Sequence, residues 1–293
     1  MRLPHFEYLT PKTLEEACSL LASHGPYEVS PLAGGTDLLV KMKQRRAVPR
    51  YVLNLKGISG MDYITYDEGE GLRVGALVTI QSLKNSVTVK RHCSILAAAA
   101  GVESSVQIRN VATLGGNIAN ASPAADAPLA LITLGASVLI TRSGGQREVL
   151  LEDFFTGPGK TVLQPGEIIR EIRVPPLPSR TGGAYLKHAM RRTDIAIVSC
   201  AVVLTLVDDL CDDIKIGLGS VGPTAFRARK AEGLLKGKKI TEDVADAAAQ
   251  AAVDESRPIG DIRGYAEYRT KTVLAITKQA IMQALQDARL GGI

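Results

Sequence analysis

The sequence has no tryptophan, and phenylalanine and tyrosine bring its aromatic content to only 4%. Surfaces that stack nucleic-acid bases are built from aromatic side chains, so this composition disfavours nucleic-acid binding. The net charge of +5 is small for 293 residues and is spread along the chain, with local pairs at Arg45-Arg46 and Arg191-Arg192. We therefore predict no nucleic-acid partner.

Cysteine is equally sparse. The four cysteines, Cys18, Cys93, Cys200 and Cys211, are far apart in the sequence, and no C-x-x-C motif occurs. This spacing disfavours a disulfide framework, a zinc site and a cysteine-ligated iron–sulfur cluster. We expect four reduced structural thiols and no metal site in this chain.

Long apolar segments are also missing. No run of eighteen apolar residues occurs, so no membrane span is predicted. The first residues, M-R-L-P-H-F-E-Y, lack the apolar core of a signal peptide, which predicts a cytoplasmic location. The length of 293 residues and the 45% hydrophobic content suffice for one large or two modest domains with a buried core.

Catalytic side-chain patterns are not evident. His5, His24, His92 and His188 are isolated from one another, and no Ser-His-Asp or paired-carboxylate pattern is apparent. We therefore expect no catalytic residue in this chain.

Two nucleotide-binding patterns are incomplete. Gly157–Thr161 reads G-P-G-K-T, but Phe154 replaces the first P-loop glycine and Pro158 lacks a backbone N–H. Gly217–Gly222 matches G-x-G-x-x-G, but helical sequence follows instead of a second parallel strand. We interpret the first segment as a structural turn and expect no dinucleotide site at the second.

Two glycine-rich stretches are the main positive signal. Pro31–Leu39 reads P-L-A-G-G-T-D-L-L between an extended run, Tyr27–Ser30, and a helical run, Leu38–Arg46. Glycines let the backbone lie against a ligand, Thr36 and Asp37 are good helix caps, and the N–H groups of a first helical turn bind anions. On these residues alone, an ordinary turn before a capped helix is the simpler interpretation.

The second stretch, Thr113–Asp126, reads T-L-G-G-N-I-A-N-A-S-P-A-A-D and is predicted to form another Gly-Gly turn. It lies about eighty residues after the first. Two such loops suggest two sides of one site for a long, phosphate-bearing ligand.

Together, A-G-G-T-D-L-L (Ala33–Leu39) and Q-I-R-N-V-A-T-L-G-G-N-I-A-N-A-S-P-A-A-D (Gln107–Asp126) resemble the FAD-binding subunit of molybdenum hydroxylases. This family includes xanthine dehydrogenase, CO dehydrogenase and aldehyde oxidoreductases, and the resemblance covers nearly the whole chain. It implies an oxidoreductase whose chemistry belongs to FAD. Because neither glycine stretch contains a His, Cys or Tyr placed for attachment, we expect noncovalent binding.

The resemblance also implies cofactor-binding residues. The first loop would place backbone N–H groups at the pyrophosphate, the second would form its other side, and Asp126 would accept a hydrogen bond from a cofactor hydroxyl. Ile169 would lie near the adenine or flavin, and Lys187 would point toward the flavin. The complete set is Leu32, Ala33, Gly34, Gly35, Thr36, Asp37, Leu38, Thr113, Gly115, Gly116, Asn117, Ser122, Asp126, Ile169 and Lys187.

Some of these residues have simpler interpretations. Ser122 fits a plain turn serine, Asp126 fits the N-cap of a helix over Ala127–Leu134, and Lys187 fits a solvated strand lysine. Ile195 occupies a position where some relatives place a Tyr over the flavin ring.

The resemblance implies partner chains as well: a large subunit with a molybdenum cofactor and a small subunit with two 2Fe-2S clusters. Electrons would pass through the clusters to FAD and on to an acceptor such as NAD, quinone or ferredoxin. A free-standing FAD-dependent reductase of the same binding architecture and a non-catalytic assembly scaffold are the alternatives.

The predicted fold class is α+β. A two-part FAD-binding domain of PCMH type, over 1–177, would contain a small βαβ-type unit and a larger α+β unit. A C-terminal α+β domain of the CO dehydrogenase flavoprotein type, an antiparallel sheet with helices, would cover 178–293. The boundary is placed at the break that contains Pro175, Pro176, Pro178 and Gly182-Gly183.

Overall fold

The computed structural model describes residues 2–25 and 27–292. The first part of the chain forms a small parallel sheet in the order β1-β3-β2. Its elements are β1 (Glu7–Leu9), α1 (Leu14–Ser23), β2 (Val29–Leu32), α2 (Leu38–Lys43) and β3 (Tyr51–Asn54). The segment β2-α2-β3 is the predicted βαβ-type unit, and it places the first Gly-Gly stretch between a strand and a helix.

Helix α2 begins at Leu38 as predicted, but its end and its cap differ from the prediction. It stops at Lys43 rather than Arg46, because Arg45 adopts a left-handed backbone with φ of 61°. Asp37 is the N-cap residue, but its backbone is already helical and its side chain makes no capping bond. The expected cap is therefore wrong. The Asp37 carboxylate instead accepts a hydrogen bond from the Asn120 amide at 2.9 Å.

The larger unit contains an antiparallel sheet in the order β4-β5-β10-β6-β7. Six helices connect two of its strands. In chain order its elements are β4 (Ile64–Asp67), β5 (Gly71–Gly75), α3 (Ile80–Asn85), α4 (Val87–His92), α5 (Ser94–Val102), α6 (Val106–Arg109), α7 (Leu114–Ala119), α8 (Asp126–Thr133), β6 (Ser137–Arg142), β7 (Gly145–Leu150), α9 (Leu151–Phe154), β8 (Phe155–Gly157), β9 (Lys160–Thr161) and β10 (Ile168–Val174).

The second Gly-Gly stretch is helical, so the predicted turn is wrong. Gly115 and Gly116 lie in the first turn of α7, where Thr113 is the N-cap and its Oγ1 accepts the Gly116 N–H at 3.2 Å. Helix α8 begins at Asp126 with Ala125 as N-cap, and no side chain caps it. Interpreting Asp126 as a helix N-cap is therefore also wrong.

The C-terminal part is an antiparallel sheet in the order β11-β12-β13-β14, with helices laid on it. Its elements are β11 (Thr181–His188), β12 (Val198–Val207), β13 (Leu210–Gly219), β14 (Phe226–Arg227), α10 (Arg229–Leu235), α11 (Glu242–Glu255) and α12 (Ala266–Arg289). The α+β class is thus confirmed. The exact boundary near residue 178 stays a prediction.

Both incomplete nucleotide motifs are structural. Gly157 lies in the two-stranded β8–β9 hairpin. Gly217 and Gly219 end β13 beneath α8, where a Cβ added to Gly217 would lie 2.8 Å from Leu129 Cδ1. Gly217 and Gly219 therefore serve close packing of the sheet on α8.

Two apolar clusters form the interior, one mainly in the N-terminal part and one between the C-terminal sheet and its helices. All four cysteines are buried free thiols, and burial raises the pKa of Cys93 and of Cys200 to about 12.

Within residues 2–25 and 27–292, no group of three or more His, Cys, Asp or Glu side chains is arranged to hold a metal ion. None of the helices described there is both long enough and apolar enough to cross a membrane.

Candidate cofactor site

A cavity of about 590 Å³ opens where α2, α7, α8, β10 and β11 meet. This volume is typical of sites for small molecules and cofactors. Every predicted cofactor-binding residue except Leu32 lines it. Leu32 ends β2, where its carbonyl oxygen accepts the Leu55 N–H, and it lies beside the cavity wall rather than in it.

The first loop forms one wall with exposed backbone donors. Among the described residues, the N–H groups of Gly35, Thr36 and Asp37 have no hydrogen-bond partner. Gly35 has a φ of 76°, which only glycine adopts readily. A Cβ on Gly34 would lie 2.2 Å from the carbonyl oxygen of Val111, so this glycine lets the first loop touch the segment before α7.

The second stretch uses its backbone differently. The N–H groups of Leu114 and Gly115 already donate to the carbonyls of Val78 and Ala76, each at 2.9 Å. Gly115 packs on Ala76, where an added Cβ would approach the Ala76 Cβ to 2.6 Å. Backbone donors to a phosphate are therefore concentrated in the first loop, and Gly115 serves to fix α7 in place.

Gly116 is the glycine of α7 whose open side faces the cavity. An added Cβ would meet Thr113 Oγ1 at 2.9 Å and then only the Ala33 Cβ at 4.0 Å.

Asn120 joins the two loops, because its amide donates to Asp37 and accepts from Lys41 Nζ at 2.7 Å. Sequence reasoning missed Lys41, a cation of the cavity wall one helical turn after Asp37.

A buried ion pair lies farther along the cavity. Lys187 Nζ donates to Asp126 Oδ2 at 2.9 Å and to the Val102 carbonyl at 3.1 Å, and both side chains of the pair are 5% exposed. Interpreting Lys187 as a solvated lysine is therefore wrong. Tyr185, two residues earlier on the same face of β11, donates to Asp126 Oδ1 at 2.6 Å.

The electrostatics of this pair follow from its burial. Burial raises the pKa of Asp126, while Lys187 and the Tyr185 hydroxyl lower it. Burial and the neighbouring Asp126 carboxylate raise the pKa of Tyr185 well above its usual range, so the phenol remains a hydrogen-bond donor. Asp126 retains lone pairs for a further donor, such as a cofactor hydroxyl.

Glu103, which the sequence reasoning missed, also belongs to the cavity wall. Its Oε1 accepts a hydrogen bond from Asn117 Nδ2 at 2.7 Å. Its Oε2 and the Asn117 Oδ1 are buried, and neither has a hydrogen-bond partner among the described residues. Burial, followed by the charge of Asp126, raises the pKa of Glu103 from its ordinary value of 4.5 to about 8. The available sequence signal was an acid immediately after the alanine-rich helix α5.

The remaining predicted residues occupy simpler environments. Ser122 Oγ accepts the Ala124 N–H at 3.3 Å, as a turn serine does, and also lines the cavity. Ile169 is an apolar part of the wall and is 5% exposed. Ile195 lies in the loop before β12 and is 64% exposed, and it also lines the cavity.

Comparison with known proteins identifies the ligand class. Residues 4–177 match the family described as the FAD binding domain in molybdopterin dehydrogenase. Residues 184–284 match the CO dehydrogenase flavoprotein C-terminal domain. The chain belongs to this flavoprotein family. It is therefore the flavoprotein subunit of an oxidoreductase, and FAD is its cofactor.

Full-length relatives agree with this assignment to the flavoprotein family. The carbon monoxide dehydrogenase medium chain of Hydrogenophaga pseudoflava is 36% identical over 96% of this chain and 97% of its own. The nicotine 6-hydroxylase medium subunit of Paenarthrobacter nicotinovorans is 34% identical, with 97% and 99% covered.

Solved structures share the fold over nearly the same length. Carbon monoxide dehydrogenase from Hydrogenophaga pseudoflava matches with a TM-score of 0.94 at 36% identity, covering 98% of this chain and 99% of that one. Quinoline 2-oxidoreductase from Pseudomonas putida 86 matches with a TM-score of 0.92 at 33% identity and the same coverage. The flavoprotein fold thus extends over both parts of the chain.

The cavity of this flavoprotein fits FAD on independent grounds. The unpartnered N–H groups of the first loop suit an anionic pyrophosphate. The open side of Gly116 leaves room for close approach, and the unpartnered oxygens of Glu103 and Asn117 can pair with polar groups of the cofactor. A buried ammonium, that of Lys187, completes a set of donors suited to an anionic ligand with many polar groups.

Proposed function

We propose that this chain is the FAD-binding electron-transfer subunit of a heterotrimeric molybdenum hydroxylase. The supporting observation is that one cavity combines the donors of the first loop, the open face of Gly116 and the buried Asp126–Lys187 pair. Bound FAD would supply the chemistry by accepting and releasing electrons singly or in pairs. The protein residues bind and orient it.

The pyrophosphate would be held by the backbone of Ala33–Leu38, with the ammonium of Lys41 nearby. Thr113, Gly116 and Asn117 would form the opposite wall. Gly115 would contribute indirectly, because its packing on Ala76 fixes the position of Gly116. This division of roles follows from which backbone donors are free and which are already used.

Lys187 would direct the remaining N–H of its ammonium toward the cofactor. Because Asp126 pairs with this ammonium at 2.9 Å, Lys187 would act as a hydrogen-bond donor rather than as a free positive charge. Asp126 would hold Lys187 in position and accept a hydrogen bond from a cofactor hydroxyl. Ser122 would add a polar contact and Ile169 an apolar one.

The molybdenum cofactor and two 2Fe-2S clusters would belong to a large and a small partner subunit. Electrons from these clusters would pass through FAD to an acceptor such as NAD, quinone or ferredoxin, in the cytoplasm. The relatives are named as a medium chain and a medium subunit, which supports a multi-subunit assembly. The noncovalent mode of binding rests on the composition of the two glycine stretches.

Co-purification of the affinity-tagged chain from its native host tests this proposal. We expect flavin absorbance, one FAD per chain, and two further chains that carry iron and molybdenum. A yellow chain that purifies alone and reduces a substrate would support a free-standing reductase instead. A colourless chain that neither contains nor binds FAD would support the assembly scaffold.

A further inference from the structure

The unpartnered carboxyl of Glu103 is the feature of the cavity that FAD binding as such does not explain. Glu103 follows α5, and its Oε1 is fixed by Asn117 Nδ2 at 2.7 Å. Its Oε2 is buried and has no hydrogen-bond partner within the described residues, and the same is true of Asn117 Oδ1. Leaving such atoms unpaired in a folded protein is costly, so a ligand group is expected to meet them.

The charges around Glu103 disfavour its ionised form. Asp126 on α8 and Asp37 at the start of α2 are the acidic neighbours, and Lys187 on β11 is the cationic one. Lys187 is already paired with Asp126 at 2.9 Å, so the pair as a whole carries no net charge. A second carboxylate would leave this buried cluster with a net negative charge, which its low dielectric penalises.

The other groups near Glu103 do not offset this penalty fully. The Tyr185 hydroxyl donates to Asp126 and not to Glu103. The backbone N–H of Ala127 lowers the Glu103 pKa, but by less than burial raises it. The Arg109 guanidinium donates to the Glu103 backbone carbonyl at 2.9 Å rather than to the carboxyl. The balance of burial and charge places the Glu103 pKa at about 8.

We propose that Glu103 is a cofactor-binding residue that acts as a neutral acid: its Oε2 donates a hydrogen bond to FAD while Asn117 Oδ1 accepts one. The inference rests on the proposed FAD site and adds that FAD binding requires a proton on the Glu103 carboxyl. A cofactor group that both accepts and donates satisfies the two atoms together. A ribityl hydroxyl and the adjacent N–H and C=O of the flavin ring both have this property.

A proton requirement predicts a specific pH dependence. In the FAD-free chain with a Glu103 pKa of about 8, the acid is about nine-tenths protonated at pH 7 and about one-tenth at pH 9. If only the neutral form binds, the dissociation constant for FAD rises about tenfold between these pH values. Binding should therefore take up about nine-tenths of a proton at pH 9 and about one-tenth at pH 7.

The experiment is titration of the FAD-free full-length chain with FAD by calorimetry, at pH 7 and 9 and in two buffers of different ionisation enthalpy. Glu103→Gln keeps a neutral donor, so it should bind within about threefold of the wild type at pH 7 and lose both the pH dependence and the proton uptake. Glu103→Leu lacks the donor and should bind about five- to tenfold more weakly than Glu103→Gln at both pH values. FAD analogues methylated at the ring N3 or lacking a ribityl hydroxyl identify the group contacted.

The outcomes separate this inference from the proposed function. A wild-type chain that binds FAD with the same affinity at pH 7 and 9 and without proton uptake would overturn the role of Glu103 and leave the FAD site intact. Equal pH dependence in the wild type and Glu103→Gln would also overturn it. A wild-type chain that binds no FAD at either pH would overturn both.

Discussion

Substituting valine for Gly116 should remove FAD while leaving the chain folded. The glycine faces the cavity, and an added Cβ meets one protein atom closer than 4.0 Å, Thr113 Oγ1 at 2.9 Å. Relieving that contact displaces the Thr113 hydroxyl, which caps α7, so the cost combines roughly 1–2 kcal/mol of overpacking with about 1 kcal/mol for the weakened cap. Valine has the higher helix propensity, which offsets a few tenths of a kcal/mol of that cost.

The two methyl groups of the valine would extend into the space that the cofactor needs. We expect the FAD dissociation constant to rise at least about a hundredfold, which corresponds to about 3 kcal/mol. The unfolding free energy of the FAD-free chain should fall by less than about 3 kcal/mol. Flavin fluorescence titration measures the first quantity, and urea denaturation measures the second.

Gly233→Val is the matched control. Gly233 lies in helix α10, and nothing approaches an added Cβ there within 4 Å. This variant should keep full FAD affinity. Gly35→Val is less informative, because the φ of 76° and the nearby Leu32 and Leu39 side chains would also strain the fold. Full flavin occupancy in Gly116→Val would refute the assignment of this wall.

Three further predictions concern attachment, the ion pair and pH. Acid precipitation of the yellow chain should release all flavin into the supernatant, and colour in the pellet would contradict noncovalent binding. Asp126→Ala leaves the Lys187 ammonium buried without its carboxylate, so urea denaturation should show a loss of about 3–5 kcal/mol, and a loss below 1 kcal/mol would contradict the buried pair. The raised pKa of Glu103 means that the folded chain holds a proton that the unfolded chain releases, so the contribution of Glu103 to the free energy of unfolding is most favourable below pH 4.5 and falls as the pH rises to about 8. Glu103→Gln should therefore be more stable than the wild type at pH 7, by on the order of 3 kcal/mol in denaturation of the FAD-free chain, whereas parallel pH profiles would exclude the shift.

Local patterns in the sequence were sufficient for much of the fold. The capping-box pattern of Thr13 and Glu16 predicts a helix over Leu14–Ser23, and α1 spans these residues, with the Glu16 N–H bonded to Thr13 Oγ1 at 3.1 Å. The sequence likewise predicts a helix over Ser94–Val102 and a strand over Ile168–Val174, which are the bounds of α5 and β10. These elements are specified by their own caps and apolar periodicity.

The errors occur where distant contacts determine the conformation. Leu-Gly-Gly-Asn is a poor helix sequence, yet α7 forms because Val78 and Ala76 accept hydrogen bonds from its first N–H groups. Lys187 is buried because Asp126, sixty-one residues earlier, neutralises it. The place of Glu103 in the site depends on the packing of α5 against α7 and β11, which the local sequence around Glu103 does not specify.

The most direct test of the central claim is a crystal structure of the full-length chain with bound FAD. The account predicts one FAD in the cavity, its pyrophosphate against the N–H groups of Gly35, Thr36 and Asp37, and the molecule extending past Gly116 toward Asp126 and Lys187. FAD density in another part of the chain, or a pyrophosphate distant from the first loop, would contradict it.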